Sequence, residues 1–239
     1  MPYRFVLFDV GGTLVGPRGS FGAVYARALA DLGLALDPAR AEQSLQQAMR
    51  EMEQAIPRGA DRYRHFPGGE QEFWLRFARR TLELASGAPV DSGWALCALD
   101  RIRDVFREPG AWTVFPDVRP ALDALKQDGA RMAVVSNWDS QLPRVLEMLG
   151  LAPYFAEIGV SHLEGVEKPD PEIFRRVLAR LGAQPAEALH VGDVPGLDIA
   201  GARAAGVAAV LVDRRGVPGL DDQAIPSLSE LPSIVRGSA

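Results

Sequence analysis

The chain has 239 residues, of which 47% are hydrophobic and 24% charged, with a net charge of −5. That length fits one domain carrying a large insert better than two full domains, and the composition excludes a disordered chain or a collagen-like fibre. The acidic balance disfavours a nucleic-acid binder, whose footprint is a basic excess, and the single cysteine, Cys97, excludes an intramolecular disulfide and fits a reducing compartment.

The segment Arg4–Val10 (RFVLFDV) is a short apolar run rich in Val, Phe and Leu that ends at Gly11-Gly12. It predicts a buried parallel strand running into a tight turn. Met1-Pro2-Tyr3-Arg4 leads straight into this run without a small-residue cleavage site, and no apolar run reaches the ~18 residues of a membrane span. A cytoplasmic protein is therefore expected. The next stretch is different. Phe21–Leu32, Pro38–Gln54, Glu70–Leu84 and Ser92–Phe106 carry apolar residues at three- and four-residue spacing, which predicts helices. Asp37-Pro38 and Asp91-Ser92 read as helix starts. No strong strand is expected in this stretch. Between two of its helices lies Arg58, Arg62, Tyr63, Arg64, His65 and Phe66, read as a polar loop with one aromatic anchor; Trp74 and Phe77 read as helix-packing residues.

Alternation then sets in. Strand-like runs at Arg131–Ser136, Glu157–Ser161, Ala188–Val191 and Val207–Val212 are separated by helix-like runs at Val118–Gln127, Gln141–Leu149, Pro171–Leu181 and Leu197–Ala205. A last short helix is expected at Leu228–Val235. This pattern predicts an α/β fold: a three-layer, Rossmann-like parallel sheet with an inserted all-helical domain. The core is expected over 1–16 and 110–239, and the insert over 17–109. Open sheets of this kind bind ligands at the C-terminal ends of their strands. An insert after the first strand is a candidate cap over that edge.

Polar residues gather at those expected strand ends. Asp9 closes FVLFDV, Ser136-Asn137 closes MAVVSN, and Asp193 follows ALHVG with Asp198 five residues on. Lys168 precedes a helix start in KPDPEIF, and of the 26 basic residues only it and Lys126 are lysines. Two carboxylates in one crevice suit a hard cation such as Mg2+. The histidines, His65, His162 and His190, show no zinc-ligand spacing.

In order, DVGGTL, VVSN, KPDPEIF and VGDVPGLD resemble the four motifs of the haloacid dehalogenase-like (HAD) superfamily, in the branch whose helical C1 cap lies between the first two motifs. The resemblance spans nearly the whole chain. It implies a hydrolase in which Asp9 attacks phosphorus and forms an aspartyl-phosphate. It implies Mg2+ held by Asp9, the carbonyl of Gly11 and Asp193, with Asp198 in support. Ser136 and the Asn137 amide would bind phosphoryl oxygens, Gly12 and Thr13 would line the substrate, and Lys168 would hold nucleophile and phosphate by charge. The implied substrate is a small phosphorylated metabolite, with no nucleic-acid or membrane partner.

One position departs from the pattern. HAD phosphatases read DxDGT, and their second Asp protonates the leaving group; here that place is Gly11. Losing general acid–base help removes about 10²–10⁴-fold in rate, which good leaving groups such as acyl or aryl phosphates tolerate best. Two alternatives follow. L-2-haloacid dehalogenases also lack this Asp, since halide leaves without a proton, but they use no Mg2+ and have small polar residues where Asp193 stands. A HAD fold kept as a ligand-binding or interaction module is the other. A Schiff-base lysine of the phosphonatase kind is not expected, because Lys126 and Lys168 both lie outside the insert.

Overall fold

The computed structural model describes residues 2–57, 61–214, 216 and 224–237. Five parallel strands form the main sheet: β1 (Phe5–Phe8), β4 (Arg131–Ser136), β5 (Phe155–Val160), β6 (Ala188–Gly192) and β7 (Ala208–Leu211). Their order is β5-β4-β1-β6-β7, so β1 is central. Phe8 stands opposite Val134 on one side and Val191 on the other, so the three strands end nearly level. The helices of this unit are α6 (Val118–Gln127), α7 (Leu142–Met148), α8 (Ser161–Glu164), α9 (Glu172–Leu181), α10 (Ala200–Ala204) and α11 (Leu231–Arg236).

Why the apolar runs become strands is visible in their burial. Val6, Leu7 and Phe8 are all fully buried, as expected where both faces of a parallel sheet are covered. On one face Phe5, Leu7, Ala133 and Val135 pack against Ile173, Phe174, Val177 and Leu178 of α9. Val6, Phe8 and Val134 alternate onto the opposite face and are equally buried.

The chain forms two compact units, Met1–Val15 with Val114–Ala239, and Gly16–Thr113. The second is helical: α1 (Phe21–Ala30), α2 (Pro38–Gln54), α3 (Arg62–His65), α4 (Gly69–Ser86) and α5 (Ser92–Phe106). Asp37 and Asp91 are N-caps: Asp37 accepts from Arg40 N–H at 2.8 Å, and Asp91 from Gly93 and Trp94 N–H at 2.9 and 3.0 Å. These bonds satisfy donors that a helix start otherwise leaves open. The segment expected as a polar loop is corrected. Residues 62–65 form α3, capped by Asp61, and Tyr63 is buried edge-on against Phe73. Arg58 lies outside the described residues. Phe77 is buried and Trp74 packs edge-on against it.

One pair of short strands lies outside the runs read as helical or strand-like. A two-stranded ribbon, β2 (Val15–Pro17) with β3 (Trp112–Val114), forms where the chain passes between the two units. Among the described residues, no helix is long and apolar enough to cross a membrane.

Candidate active site

Three neighbouring strand ends build the site. Beyond β1, Asp9 N–H still bonds the Val191 carbonyl at 2.9 Å, which fixes Asp9 at the sheet's C-terminal edge. The backbone then turns back on itself: Leu14 and Val15 N–H both bond the Val10 carbonyl, and Gly12 N–H bonds the Val15 carbonyl at 2.9 Å. Gly12 takes φ +82°, which glycine adopts without steric cost. A Cβ there would lie 2.2 Å from Asp193 Oδ2, so the turn is tight against the end of β6. Asp198 comes from a π-helical turn, Pro195–Ile199, ahead of α10. Because β1 has β4 on one side and β6 on the other, the connections diverge here and leave a crevice.

A buried ammonium joins these ends. Lys168, 2% exposed, donates to Asp9 Oδ1 at 2.6 Å and to Asp198 Oδ1 at 2.5 Å. Ser136 Oγ donates to the same Asp9 oxygen at 2.9 Å. With Oδ1 taking both donors, Oδ2 is the Asp9 oxygen left for a ligand. The backbone of Lys168 is held in turn by Asn137, whose Nδ2 donates to the Lys168 carbonyl at 2.9 Å while its Oδ1 accepts Lys168 N–H at 2.7 Å. Asp198 Oδ1 is also 3.1 Å from His190 Nε2, and Asp198 Oδ2 accepts Val194 N–H at 2.9 Å.

These contacts divide the carboxylates electrostatically. Burial raises the Asp9 carboxyl above its ordinary value; Lys168 opposes this, and Asp198 adds to it. Asp198 goes the other way. Burial opposes its ionisation, but Lys168 and His190 outweigh burial and hold it below the usual range. Asp193 is pushed up to about 7 by burial and by the charges of Asp9 and Asp198. Burial disfavours the Lys168 cation, but Asp198 and Asp9 together more than compensate, so its ammonium form is favoured.

The structure thus brings together Asp9, Ser136, Lys168 and Asp198 through direct hydrogen bonds. One carboxylate oxygen from each of Asp9, Asp193 and Asp198 lies within 4.8 Å of the others. Three converging oxygen donors of this charge fit a hard divalent cation. Asp198 is the most committed of the three, since both its oxygens already accept hydrogen bonds. Gly12 and Thr13 lie in the turn after β1, beside Asp193. The Gly12 N–H is committed to Val15, and Thr13 is fully buried with its hydroxyl 3.5 Å from Asp193 Oδ1. They shape the loop and support Asp193. Likewise the Asn137 side chain fixes Lys168.

Two neighbours of the site, His190 and Trp138, are not among the site residues expected from the sequence. His190 sits inside β6, fully buried, with its ring edge-on to Phe174 at 4.9 Å. A lone histidine in an apolar run with an acid eight residues on was the available signal. Trp138, directly after Asn137, lays its ring 3.3 Å from where a Cβ of Gly11 would be. Nothing in the spacing announces that contact.

A family model described as haloacid dehalogenase-like hydrolase matches residues 3–206. The chain is 32% identical over 238 residues to haloacid dehalogenase-like hydrolase domain-containing protein 3 of Mus musculus, covering 95% of this chain and 92% of that protein. It is 37% identical over 161 residues to a phosphoserine phosphatase of Thermus thermophilus, covering 65% of this chain and 60% of that one. The crystal structure of a HAD phosphatase from Thermococcus onnurineus is similar with a TM-score of 0.66 at 25% identity, over 98% of each chain. Solved 2-haloacid dehalogenases are similar as well. Near-full-length relatives and a family match across most of the sequence agree with the strand-end acids: the chain belongs to the haloacid dehalogenase-like hydrolases.

Proposed function

We propose that this hydrolase is a Mg2+-dependent phosphatase of a small phosphorylated metabolite, with Asp9 as its nucleophile. The observation that carries this reading is the asymmetric Asp9 carboxylate. One oxygen, Oδ1, is held by Lys168 and Ser136, and a carboxylate oxygen of Asp9 lies within 4.8 Å of one from Asp193 and one from Asp198. Mg2+ would be held by Asp9, Asp193 and the Gly11 carbonyl, with Asp198 in support, and when bound it neutralises the charge that otherwise keeps a carboxylate and a phosphate apart. In this mechanism the Asp9 carboxylate forms a bond to phosphorus while the bond to the leaving oxygen breaks, its electron pair departing with that oxygen. Water then attacks the phosphorus of the aspartyl-phosphate, releasing inorganic phosphate and regenerating Asp9. Lys168 favours the ionised form of Asp9 and orients it, and Ser136 fixes the same oxygen. The phosphoserine phosphatase relative supports a phosphorylated substrate. The helical unit, Gly16–Thr113, is the cap in this proposal, and cytoplasmic residence remains its expected setting.

The test is hydrolysis of p-nitrophenyl phosphate with Mg2+. Asp9→Asn should abolish it, and undiminished turnover would overturn the assignment. Gly11 favours a second reading, a 2-haloacid dehalogenase. Halide release from 2-chloropropionate in EDTA would support that reading over ours. A non-catalytic binding module would instead show Mg2+ and phosphate-analogue binding with no Asp9-dependent turnover.

A further inference from the structure

Gly11 and Gly12 are adjacent, but only Gly12 is glycine for backbone reasons. Gly11 does not have a positive φ, so no left-handed backbone strain opposes a side chain there. What a side chain there meets is Trp138: indole Cζ3 lies 3.3 Å from the Cβ position and Cε3 4.0 Å. Carbon atoms are at their best separation near 3.5–4.0 Å. Even a methyl group therefore makes the ring give by a few tenths of an ångström.

The backbone that carries the indole is fixed, because its strand-end loop is tied down at each residue. Ser136 bonds Asp9, Asn137 bonds the Lys168 backbone twice, and the Trp138 backbone is clamped by one hydroxyl. Trp138 N–H donates to Ser161 Oγ at 3.2 Å, and the same Oγ donates back to the Trp138 carbonyl at 3.2 Å. His162 N–H adds a third bond to that carbonyl at 3.3 Å. Ser161 is fully buried, so the clamp is shielded from water.

We infer that Trp138 is a specificity-determining residue paired with Gly11. The indole occupies the approach to residue 11 and excludes a proton-donating carboxylate there. An indole N–H is a donor only and transfers no proton at neutral pH. The site is therefore built for phosphate compounds whose leaving group departs unprotonated, such as aryl, enol or acyl phosphates, and against alkyl phosphates. This rests on the phosphatase reading above. In the step concerned, the bond from the Asp9 carboxylate to phosphorus forms and the leaving oxygen keeps its electron pair as a stable anion, so the protein supplies no proton.

The experiment compares wild type, Gly11→Asp, Trp138→Ala and the double variant by two readouts. The first is the ratio of kcat/KM for p-nitrophenyl phosphate to that for glycerol 2-phosphate. The second is the urea midpoint, which needs no activity. Gly11→Asp alone should gain no alkyl-phosphate turnover and should lower the midpoint. The double variant should raise alkyl-phosphate turnover by about 10²-fold or more, the general-acid contribution, and recover part of the midpoint lost by Gly11→Asp. Two results overturn the inference: wild type hydrolysing both esters equally well, or Gly11→Asp alone matching the double variant in rate. If no variant shows Asp9-dependent phosphatase activity, the functional reading fails separately. The midpoints then decide the pair: strictly additive effects refute the steric exclusion, and relief of the Gly11→Asp defect by Trp138→Ala sustains it.

Discussion

Replacing Lys168 by Met keeps much of the side chain's length and apolar volume and removes only its charge. In the native protein that charge lies 2.6 Å from Asp9 Oδ1 and 2.5 Å from Asp198 Oδ1, with the side chain 2% exposed. Removing one partner of a buried ion pair costs about 3–5 kcal/mol, because the carboxylates stay behind uncompensated. Asp198 retains His190 and the Val194 N–H, and Asp9 retains Ser136, which places the expected cost at the lower end, about 3 kcal/mol. For a chain of this size that is a fall in Tm of roughly 6–12 °C. The deficit should shrink at pH 5. Asp9 already has its folded value raised by burial, and without Lys168 it rises further, so a proton neutralises it in the acid range and relieves the conflict. Thermal melts of wild type and variant at pH 5 and pH 8, without metal, measure both effects. A variant as stable as wild type at pH 8, or a deficit that grows on acidification, would refute the reasoning. Turnover of p-nitrophenyl phosphate by this variant should fall about 10²–10³-fold or more, the scale of losing one preorganised charge-stabilising group.

Asp193, pushed up to about 7, holds a proton in the metal-free native state that the unfolded chain has lost above its ordinary value of 3.8. Metal-free stability should therefore gain nothing from Asp193 at any pH and should fall as pH rises between those values. Mg2+ affinity by calorimetry should rise up to tenfold per pH unit below about 7 and level off above, and a pH-independent affinity would contradict this. Gly12→Ala puts a residue at φ +82° and a methyl group onto Asp193 Oδ2, so it should lower Mg2+ affinity at least tenfold while strain alone costs roughly 1–2 kcal/mol. Unchanged calorimetric binding would argue against Asp193 as a ligand. Asp117 accepts hydrogen bonds from Arg214, the Leu228 N–H and the Ser227 hydroxyl; burial raises its carboxyl, but these donors outweigh it and hold it below 3.8. Its stabilisation is present above 3.8 and lost as pH falls below it. Asp117→Ala should cost about 1–3 kcal/mol at neutral pH by urea melts and should flatten the acid limb of the stability curve.

Much of the core was legible because burial on both faces forces apolar runs. The limits Arg131–Ser136 and Val118–Gln127 coincide with β4 and α6. The weaker run at Glu157–Ser161 is β5, begun earlier at Phe155, where the β4 register shifts between Met132 and Ala133. The ribbon of β2 and β3 was not legible. Each strand has three residues, too few for a period to show, and their pairing joins segments far apart in sequence. The expected helix Leu197–Ala205 is a π-helical turn followed by α10, and the wide turn is what presents Asp198 to Lys168. At the site, strand-end position brought Asp9, Ser136 and Asp193 into view. Motif resemblance supplied Lys168 its place. Neither could show that the Asn137 side chain holds Lys168, or that Trp138 covers Gly11. Those contacts depend on how loops from different strands meet, and no local pattern encodes that.

Acid-quenched enzyme, caught during turnover of p-nitrophenyl phosphate with Mg2+ and digested for mass spectrometry, tests the central claim most directly. The account predicts one phosphoryl group, labile to hydroxylamine, on the peptide carrying Asp9, and none in Asp9→Asn. Turnover with a phosphoryl group on another residue, or oxygen from labelled water entering the Asp9 carboxylate as in ester-type dehalogenation, would contradict it.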